Sequence, residues 1–383
     1  MEKKLRILGT RGVPAEYGGF ETFAEALSLY LAQRGWKVVV YCQQDRAAGS
    51  SRQPSCQLHS DTWRGVERVH IPVGMRGPLG TIEFDLKGTW HALRESPSLC
   101  LILGYNTAVF SLLHRLAGRY TVMNMDGLEW KRSKWSLPVK VWFYVNERLG
   151  CWLSHHLVAD NPEIARRLHG FVPKEKVTMI PYGADAIDSA DGSLLASLGV
   201  EPYRYALVVA RPEPENSILD IVTAFSRVPR GVKLVVLGAY DVQRFPYHRK
   251  VRAAANQEVL FPGAIYRPEI IRALRFYAAL YVHGHRVGGT NPSLVEALSA
   301  GTPVLAHDNA FNRWTLGEAG EYFQDEGDCA RLFDQLLNNA PLLDEMRTAG
   351  RLRHTAMFRW ELPLKAYEAM LERWLTGNGT RGA

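Results

Sequence analysis

Residues Val282 to Asp308, VHGHRVGGTNPSLVEALSAGTPVLAHD, restrict the fold more than any other part of the sequence. Ala278 to Val282 is a short apolar run of the kind that forms a buried parallel strand. Gly288 and Gly289 follow it, then Thr290 and Asn291. Asn291 is a strong helix N-cap and Pro292 fits the first helical position. Gly301 ends that helix, and Thr302-Pro303 leads into a strand from Val304 to Ala306. Strand, glycine loop, helix, strand is the repeating unit of an α/β sheet. A glycine loop before a capped helix turns backbone N–H groups toward the positive end of a helix dipole, an arrangement that binds phosphate. Glu296, one turn inside, would repel phosphate but suits hydroxyl groups such as those of a ribose. Together they point to a nucleoside diphosphate; the alternative is an ordinary strand-to-helix connection.

The same pattern opens the chain. Leu5 to Leu8 reads as a strand and Gly9 to Phe20 as the loop after it. A helix follows with Phe20, Phe23, Leu27 and Leu31 on one face, and Val38 to Tyr41 is a second strand. Ligands of such doubly wound units bind beyond the carboxyl ends of the strands. The first loop lacks Gly-x-Gly-x-x-Gly and contains Pro14, which argues against a nicotinamide dehydrogenase. Residues 43–65 read as a loop. Further strands are expected at Val66–Ile71, Leu99–Leu103, Tyr120–Asn124, Leu157–Asp160 and Val177–Ile180. PYGAD, Pro181 to Asp185, is a candidate hinge.

A second α/β series follows, with strands at Tyr205–Ala210, Val232–Leu237 and Val259–Phe261 and a helix at Ile218–Val228. Amphipathic helices at Ala330–Asn338 and Leu342–Leu352 come next, then a last one around Leu362–Leu375 carrying Tyr367 and Trp374. The final TGNGTRGA reads as disordered. The expected fold class is α/β. Domain boundaries are placed at 1–182 and 183–360, with 361–383 as a C-terminal helix returning to the N-terminal domain plus the tail. Two such domains would face each other across a cleft, as suits an enzyme joining two substrates.

The 383 residues carry a formal net charge of +7. That charge fits an anionic substrate or membrane surface and is too diffuse to argue for nucleic acid. The five cysteines, Cys42, Cys56, Cys100, Cys151 and Cys329, are odd in number and scattered, as in a reduced, cytoplasmic protein. No run approaches the roughly 20 apolar residues of a membrane span, and MEKKLRILGTRG runs straight into a strand with no signal peptide.

YGGFETFAEAL, IPYGAD, VARPEPEN and GGTNPSLVEALSAGTPVLA, in this order, resemble the retaining nucleotide-sugar glycosyltransferases of GT-B architecture in the large family numbered four. GTRGVPAEYGGFET with MDGLEWKRSKW is similar to a bacterial subgroup of rhamnosyltransferases that build surface polysaccharides. The resemblance implies two Rossmann-like domains, retention at the anomeric carbon, and no metal or other cofactor. Gly18 and Gly19 would face the donor diphosphate and the acceptor; their other reading is a tight turn. Arg211 would bind the diphosphate through its planar fork. Asn216 stands where the family commonly has lysine, so backbone donors at Gly289, Thr290 and Asn291 would carry more of the phosphate. Glu296 would hold the ribose, and Tyr266 lies near the expected nucleobase position. The family's first motif glutamate is replaced by Gly288, which leaves room at the sugar ring; Arg286 could instead restore the usual recognition.

Asp126 and Glu129, past a strand end, could orient or deprotonate an acceptor hydroxyl. Their other reading is a charge pair with Lys131 and Arg132. His283 with His285, and His155 with His156, lack a third ligand at useful spacing, so no metal is expected. From Trp130 to Trp152, aromatic residues alternate with Lys131, Arg132, Lys134, Lys140 and Arg148, a composition that favours an anionic bilayer interface or, alternatively, a core with a solvated face. The expectation is a cytoplasmic glycosyltransferase, peripheral on the inner face of the cell membrane. It would move L-rhamnose from dTDP-rhamnose onto a lipid-linked saccharide. The alternatives are a UDP-hexose transferase or a GT-B nucleotide-sugar epimerase.

Overall fold

The computed structural model describes residues 3–16, 18–45 and 57–375. Tyr17, Cys56 and the C-terminal TGNGTRGA, for which disorder was expected, lie outside the described residues. The chain divides into two compact units. One comprises Met1–Trp130, Leu137–Pro181 and Glu361–Ala383; the other comprises Lys131–Ser136 and Tyr182–Trp360.

The first unit is built from β1 (Lys4–Leu8), α1 (Gly19–Ala32), β2 (Lys37–Asp45), β3 (His59–Trp63), β4 (Val66–Val73), α2 (Pro78–Arg94), β5 (Leu99–Leu103), α3 (Ser111–Leu116), β6 (Thr121–Asn124), α4 (Leu137–Leu153), β7 (His156–Ala159), α5 (Pro162–Leu168) and β8 (Val177–Met179). The sheet order is β3-β4-β2-β1-β5-β6-β7-β8. Every pairing is parallel except β3 with β4. Strands covered on both faces must be apolar on both, which is why they read as unbroken runs. In α1, Phe23, Ala24, Leu27 and Leu31 are buried at helical spacing.

The loop expected over 43–65 is corrected at both ends: β2 continues to Asp45, and β3 forms an antiparallel hairpin with β4. Trp63 pairs with Val66 across Arg64-Gly65, both at positive φ, a two-residue turn that matches the strand twist. β3 is HSDTW at the sheet edge and three of its five residues are exposed, so it has no apolar alternation to reveal it.

The last helix, Glu361–Leu375, packs in this unit. Tyr367 is buried against Phe23, ring centroids 4.7 Å apart, and its hydroxyl accepts a 2.9 Å hydrogen bond from Asn124 Nδ2. Trp36 Nε1 donates to Glu368 at 3.2 Å.

The second unit contains β9 (Tyr205–Val209), α6 (Ile218–Ser226), β10 (Lys233–Leu237), α7 (Pro246–Ala253), β11 (Val259–Gly263), α8 (Pro268–Phe276), β12 (Leu280–His283), α9 (Pro292–Ser299), β13 (Val304–His307), α10 (Ala310–Leu316), β14 (Gly320–Phe323), α11 (Glu326–Leu337) and α12 (Ala340–Met357). Its six strands are all parallel, in the order β11-β10-β9-β12-β13-β14. Tyr205, Leu207, Val235 and Tyr281 enter one core, and Ala206, Val208, Leu234 and Val282 the other. The sheet therefore separates two packed layers, and alternate residues of each strand serve different ones. Pro262 is accommodated because β11 is an edge strand.

Candidate functional site

In the second sheet the strand order reverses between β9 and β12, and the crevice at such a point lies beyond the carboxyl ends of those strands. Two loops leave there: residues 210–217 after β9 and residues 284–291 after β12. Asn216 ties them together. Its Nδ2 donates to the Arg211 carbonyl at 2.8 Å, which fixes the amide orientation, and its Oδ1 lies 2.6 Å from His285 Nδ1. The Arg286 N–H donates to the Glu215 carbonyl at 2.9 Å. Asn309 and Asn312, at the start of α10, each donate to the His285 carbonyl at 3.0 Å. Gly284 is required by the approach of the loops: a Cβ there would sit 2.1 Å from the Asn216 carbonyl oxygen.

Gly288 is constrained by a side chain instead. A Cβ on it would lie 2.6 Å from His285 Nε2, so the imidazole occupies the space that a larger residue at this position would need. Burial, with Arg132 and Arg211 nearby, pushes the His285 pKa down to about 3 and keeps the ring neutral. Asn291 caps α9, its Oδ1 accepting from Ser293 N–H at 3.0 Å, while its carbonyl accepts from Leu294 and Val295. Gly289 and the buried Thr290 precede the cap.

Glu296 does not stand alone. Its carboxylate pairs with the guanidinium of Arg275 on α8, which also donates to Ser293 Oγ at 3.3 Å; Ser293 Oγ accepts from the buried Tyr281 hydroxyl at 2.9 Å. Sequence reasoning missed Arg275 because a base in a short amphipathic helix reads as surface, yet its side chain is only 10% exposed. Arg286 donates to Ser217 Oγ at 2.6 Å and to Asp220 at 2.5 Å, so its charge is engaged away from the glycine loop.

The segment Lys131–Ser136 belongs to this unit. Ser133 Oγ donates to Glu215 at 3.2 Å, and Lys134 lies 3.7 Å from Glu213. These contacts, with Arg132 near enough to affect His285, set basic residues beside the Arg211 loop. Lys131 and Arg132 were read from sequence as companions of Asp126 and Glu129 or as part of a bilayer interface, and not as neighbours of this loop. Tyr266 follows β11, two strands from the crevice, and is 71% exposed.

The structure thus brings Arg211, Asn216, Gly288, Gly289, Thr290, Asn291 and Glu296 to one pair of strand ends. Gly18, Gly19, Asp126 and Glu129 belong to the first unit. There the order reverses between β1 and β5. Gly18 is the extended N-cap of α1, and its carbonyl accepts from Thr22. Glu21 and Glu25 accept from the N–H groups of Arg11 at 3.1 Å and Ala15 at 2.7 Å, holding the β1–α1 loop. Asp126 and Glu129 follow β6; the Tyr105 hydroxyl accepts from Glu129 N–H at 2.8 Å and donates to the Gly127 carbonyl at 3.4 Å. A carboxyl that sequence reasoning missed lies nearer the reversal. Asp85 on α2 accepts from Thr107 Oγ1, after β5, at 2.7 Å, and burial raises its pKa to about 6.

Among the described residues no group of three His, Cys, Asp or Glu could hold a metal ion. No helix among them is long and apolar enough to cross a membrane.

Residues 196–353 match the model of the family described as glycosyl transferases group 1. These residues make up most of the second unit. Residues 2–185 match a domain of unknown function, DUF1972. No curated protein sequence matches the chain. Among solved structures, sucrose-phosphate synthase from Thermosynechococcus elongatus superposes with a TM-score of 0.81 at 17% identity, covering 98% of this chain and 100% of that one. Anabaena HepE in complex with UDP and glucose gives 0.74 at 14% identity, with 97% and 100% covered. An alpha,alpha-trehalose 6-phosphate synthase from Burkholderia multivorans gives 0.73 at 10% identity, with 100% and 99% covered. The two Rossmann-like units have the GT-B fold of these structures, and residues 196–353 are similar to glycosyl transferases group 1. The crevice between β9 and β12 lies wholly within the matched residues.

Proposed function

We propose that the chain transfers L-rhamnose, with retention, from dTDP-rhamnose to a lipid-linked saccharide during surface polysaccharide synthesis at the inner face of the cell membrane. The observation that carries the donor half is the convergence of Arg211, the Gly289–Asn291 loop at the start of α9 and the Arg275-held Glu296 at one reversal point of the sheet. The guanidinium and the backbone N–H groups suit a diphosphate, and their donors aim where charge develops as it leaves. Glu296, fixed by Arg275, suits the ribose hydroxyls. Asn216 contributes by holding Arg211 and His285 in place, with both ends of its amide engaged. The acceptor belongs to the first unit, where Asp126, Glu129 or the Asp85–Thr107 pair would receive its hydroxyl.

The rhamnose assignment is supported by Gly288 and the neutral His285 ring packed against it. A site with an uncharged ring edge in place of a carboxylate suits a 6-deoxy sugar. A second reading, a UDP-hexose donor, is favoured by the UDP and glucose held by HepE, whose fold this chain shares. Single-turnover competition between dTDP-rhamnose and UDP-glucose separates the two; preferential use of UDP-glucose rejects rhamnose. Release of nucleotide that needs no added saccharide would point to an epimerase. Arg211→Ala should weaken nucleoside diphosphate binding by about 1.5–3 kcal/mol, the range for hydrogen bonds to a charged group. Unchanged affinity in an equilibrium titration would remove Arg211 from the site.

A further inference from the structure

Helices α2, α3 and α4 of the first unit are neighbours, with α3 packed between the other two. Each turns an apolar stripe outward. On α4, Leu137, Val141, Val145 and Trp152 fall on one helical face, opposite the buried Asn146, Glu147, Gly150 and Cys151; Leu137 is 75% exposed and Trp152 59%. On α3, Leu112 and Leu116 are exposed, the latter at 78%. On α2, Leu79, Leu86 and Trp90 lie on one exposed face. Large apolar side chains exposed on three neighbouring helices mark an interaction site.

Charge indicates what covers it. The three helices carry the bases Lys87, Arg94, Arg115, Lys140 and Arg148 and only three acids, Glu83, Asp85 and Glu147. All three acids are engaged, and Lys87 is neutralised with Glu83, which leaves Arg94, Arg115, Lys140 and Arg148 as the charge of these helices. Glu83 accepts from the N–H groups of Gly74 and Met75 and pairs with Lys87. Asp85 accepts from Thr107, and Glu147 is buried beneath Arg167, which holds both its oxygens at 2.7 Å. Arg94 lies 4.9 Å over the Trp90 ring, and Arg148 lies 4.8 Å over Tyr144 while donating to its hydroxyl at 3.1 Å. An apolar body tipped by a ring and a cation is the chemistry of the boundary between lipid chains and head groups. A second copy would set these cations against their own kind, in a chain of net charge +7.

We propose that the α2–α3–α4 face of the first unit docks on the surface of an anionic lipid bilayer. The surface shares α4 with the aromatic and basic sequence between Trp130 and Trp152 but does not coincide with it. That sequence is divided between the two units, and Trp130, Trp135 and Phe143 within it are partly buried. The docking face extends instead to two helices distant in sequence. It lies in the unit proposed to take the lipid-linked acceptor, and in that respect it rests on that reading.

The test is flotation of the full chain with vesicles of phosphatidylethanolamine and phosphatidylglycerol, against vesicles of phosphatidylcholine alone. No sugar is present, so failure here leaves the transferase reading standing. The chain should float with the anionic vesicles at low salt and lose most of that binding at high salt. The pair Leu116→Ser with Trp152→Ser should lower partitioning by about tenfold or more, since binding follows the apolar area inserted. Val242→Ser with Leu352→Ser, exposed positions of the second unit, should leave it unchanged. No flotation, or flotation equally unaffected by both pairs, overturns the proposal. Concentration-dependent self-association in the absence of vesicles, abolished by the first pair, would overturn it in favour of a protein–protein face.

Discussion

The contact between Gly288 and His285 is the most easily tested feature at the scale of single residues. A side chain at 288 must displace an imidazole that Asn216 holds from the other side. Gly288→Ala should therefore cost about 1–3 kcal/mol, the range for overpacking. Most of that loss should disappear in a His285→Ala background, as read by chemical denaturation of the two single variants and the double. Strict additivity would show that the ring does not set the space at 288. Arg275→Met makes a second prediction. It frees the Glu296 carboxylate from its partner, so nucleotide affinity should fall by about tenfold, the effect of losing one orienting charged contact. Circular dichroism should stay unchanged, since α9 keeps its cap at Asn291. A wild-type affinity would mean that Glu296 orients itself.

Among the elements, α10 shows how a cap can serve a site. Asn309 Oδ1 accepts from Phe311 and Asn312 N–H at 3.1 Å, while its Nδ2 donates to the His285 carbonyl at 3.0 Å. Asn309→Ala should cost about 1 kcal/mol of stability through the lost cap. Asn309→Asp keeps the cap and loses the donor; it should retain the melting temperature to within a few degrees yet weaken nucleotide binding. Most strands of the two sheets were legible in sequence because they are covered on both faces and must be apolar throughout. β3 and β14 were not, because an edge strand such as HSDTW or GEYF is not apolar throughout and carries no such signature. The glycine loop and the cap of α9 were legible for the same local reason, since turn and cap chemistry depends on neighbours in sequence. Arg275 and the Asp85–Thr107 pair were not. Each depends on which helix passes over which strand end, and a charged residue on an amphipathic helix gives no hint that its side chain is covered.

At the scale of the whole molecule, burial has left eight of the twelve histidines with pKa values below the usual 6.5, including His114 and His156 at about 4. Between pH 6.5 and 4 the unfolded chain binds protons at these rings that the folded chain refuses. Stability is thus complete above about pH 6.5 and falls as the pH drops, by up to about 3 kcal/mol for a ring such as His114. Asp85 works in the opposite sense between pH 6 and 3.8, where the folded state takes the proton first, but it is one group against eight. The melting temperature should therefore decline steadily from pH 7 to pH 4.5; a flat profile would mean that the rings are hydrated in solution. The last helix carries a different consequence. Tyr367 and Trp374 complete a layer begun by Phe23, Tyr120 and His156, so residues of the first unit are covered by a helix made only after the whole second unit. Residues 182–360 form most of a unit that is nearly continuous in sequence, whereas the amino-terminal sheet must wait, with the bed for Tyr367 uncovered, until that helix emerges. Nascent chains stopped at residue 360 should therefore bind chaperones more strongly than chains that continue through the helix Glu361–Leu375, and a chain halted there should be recovered mainly as aggregate.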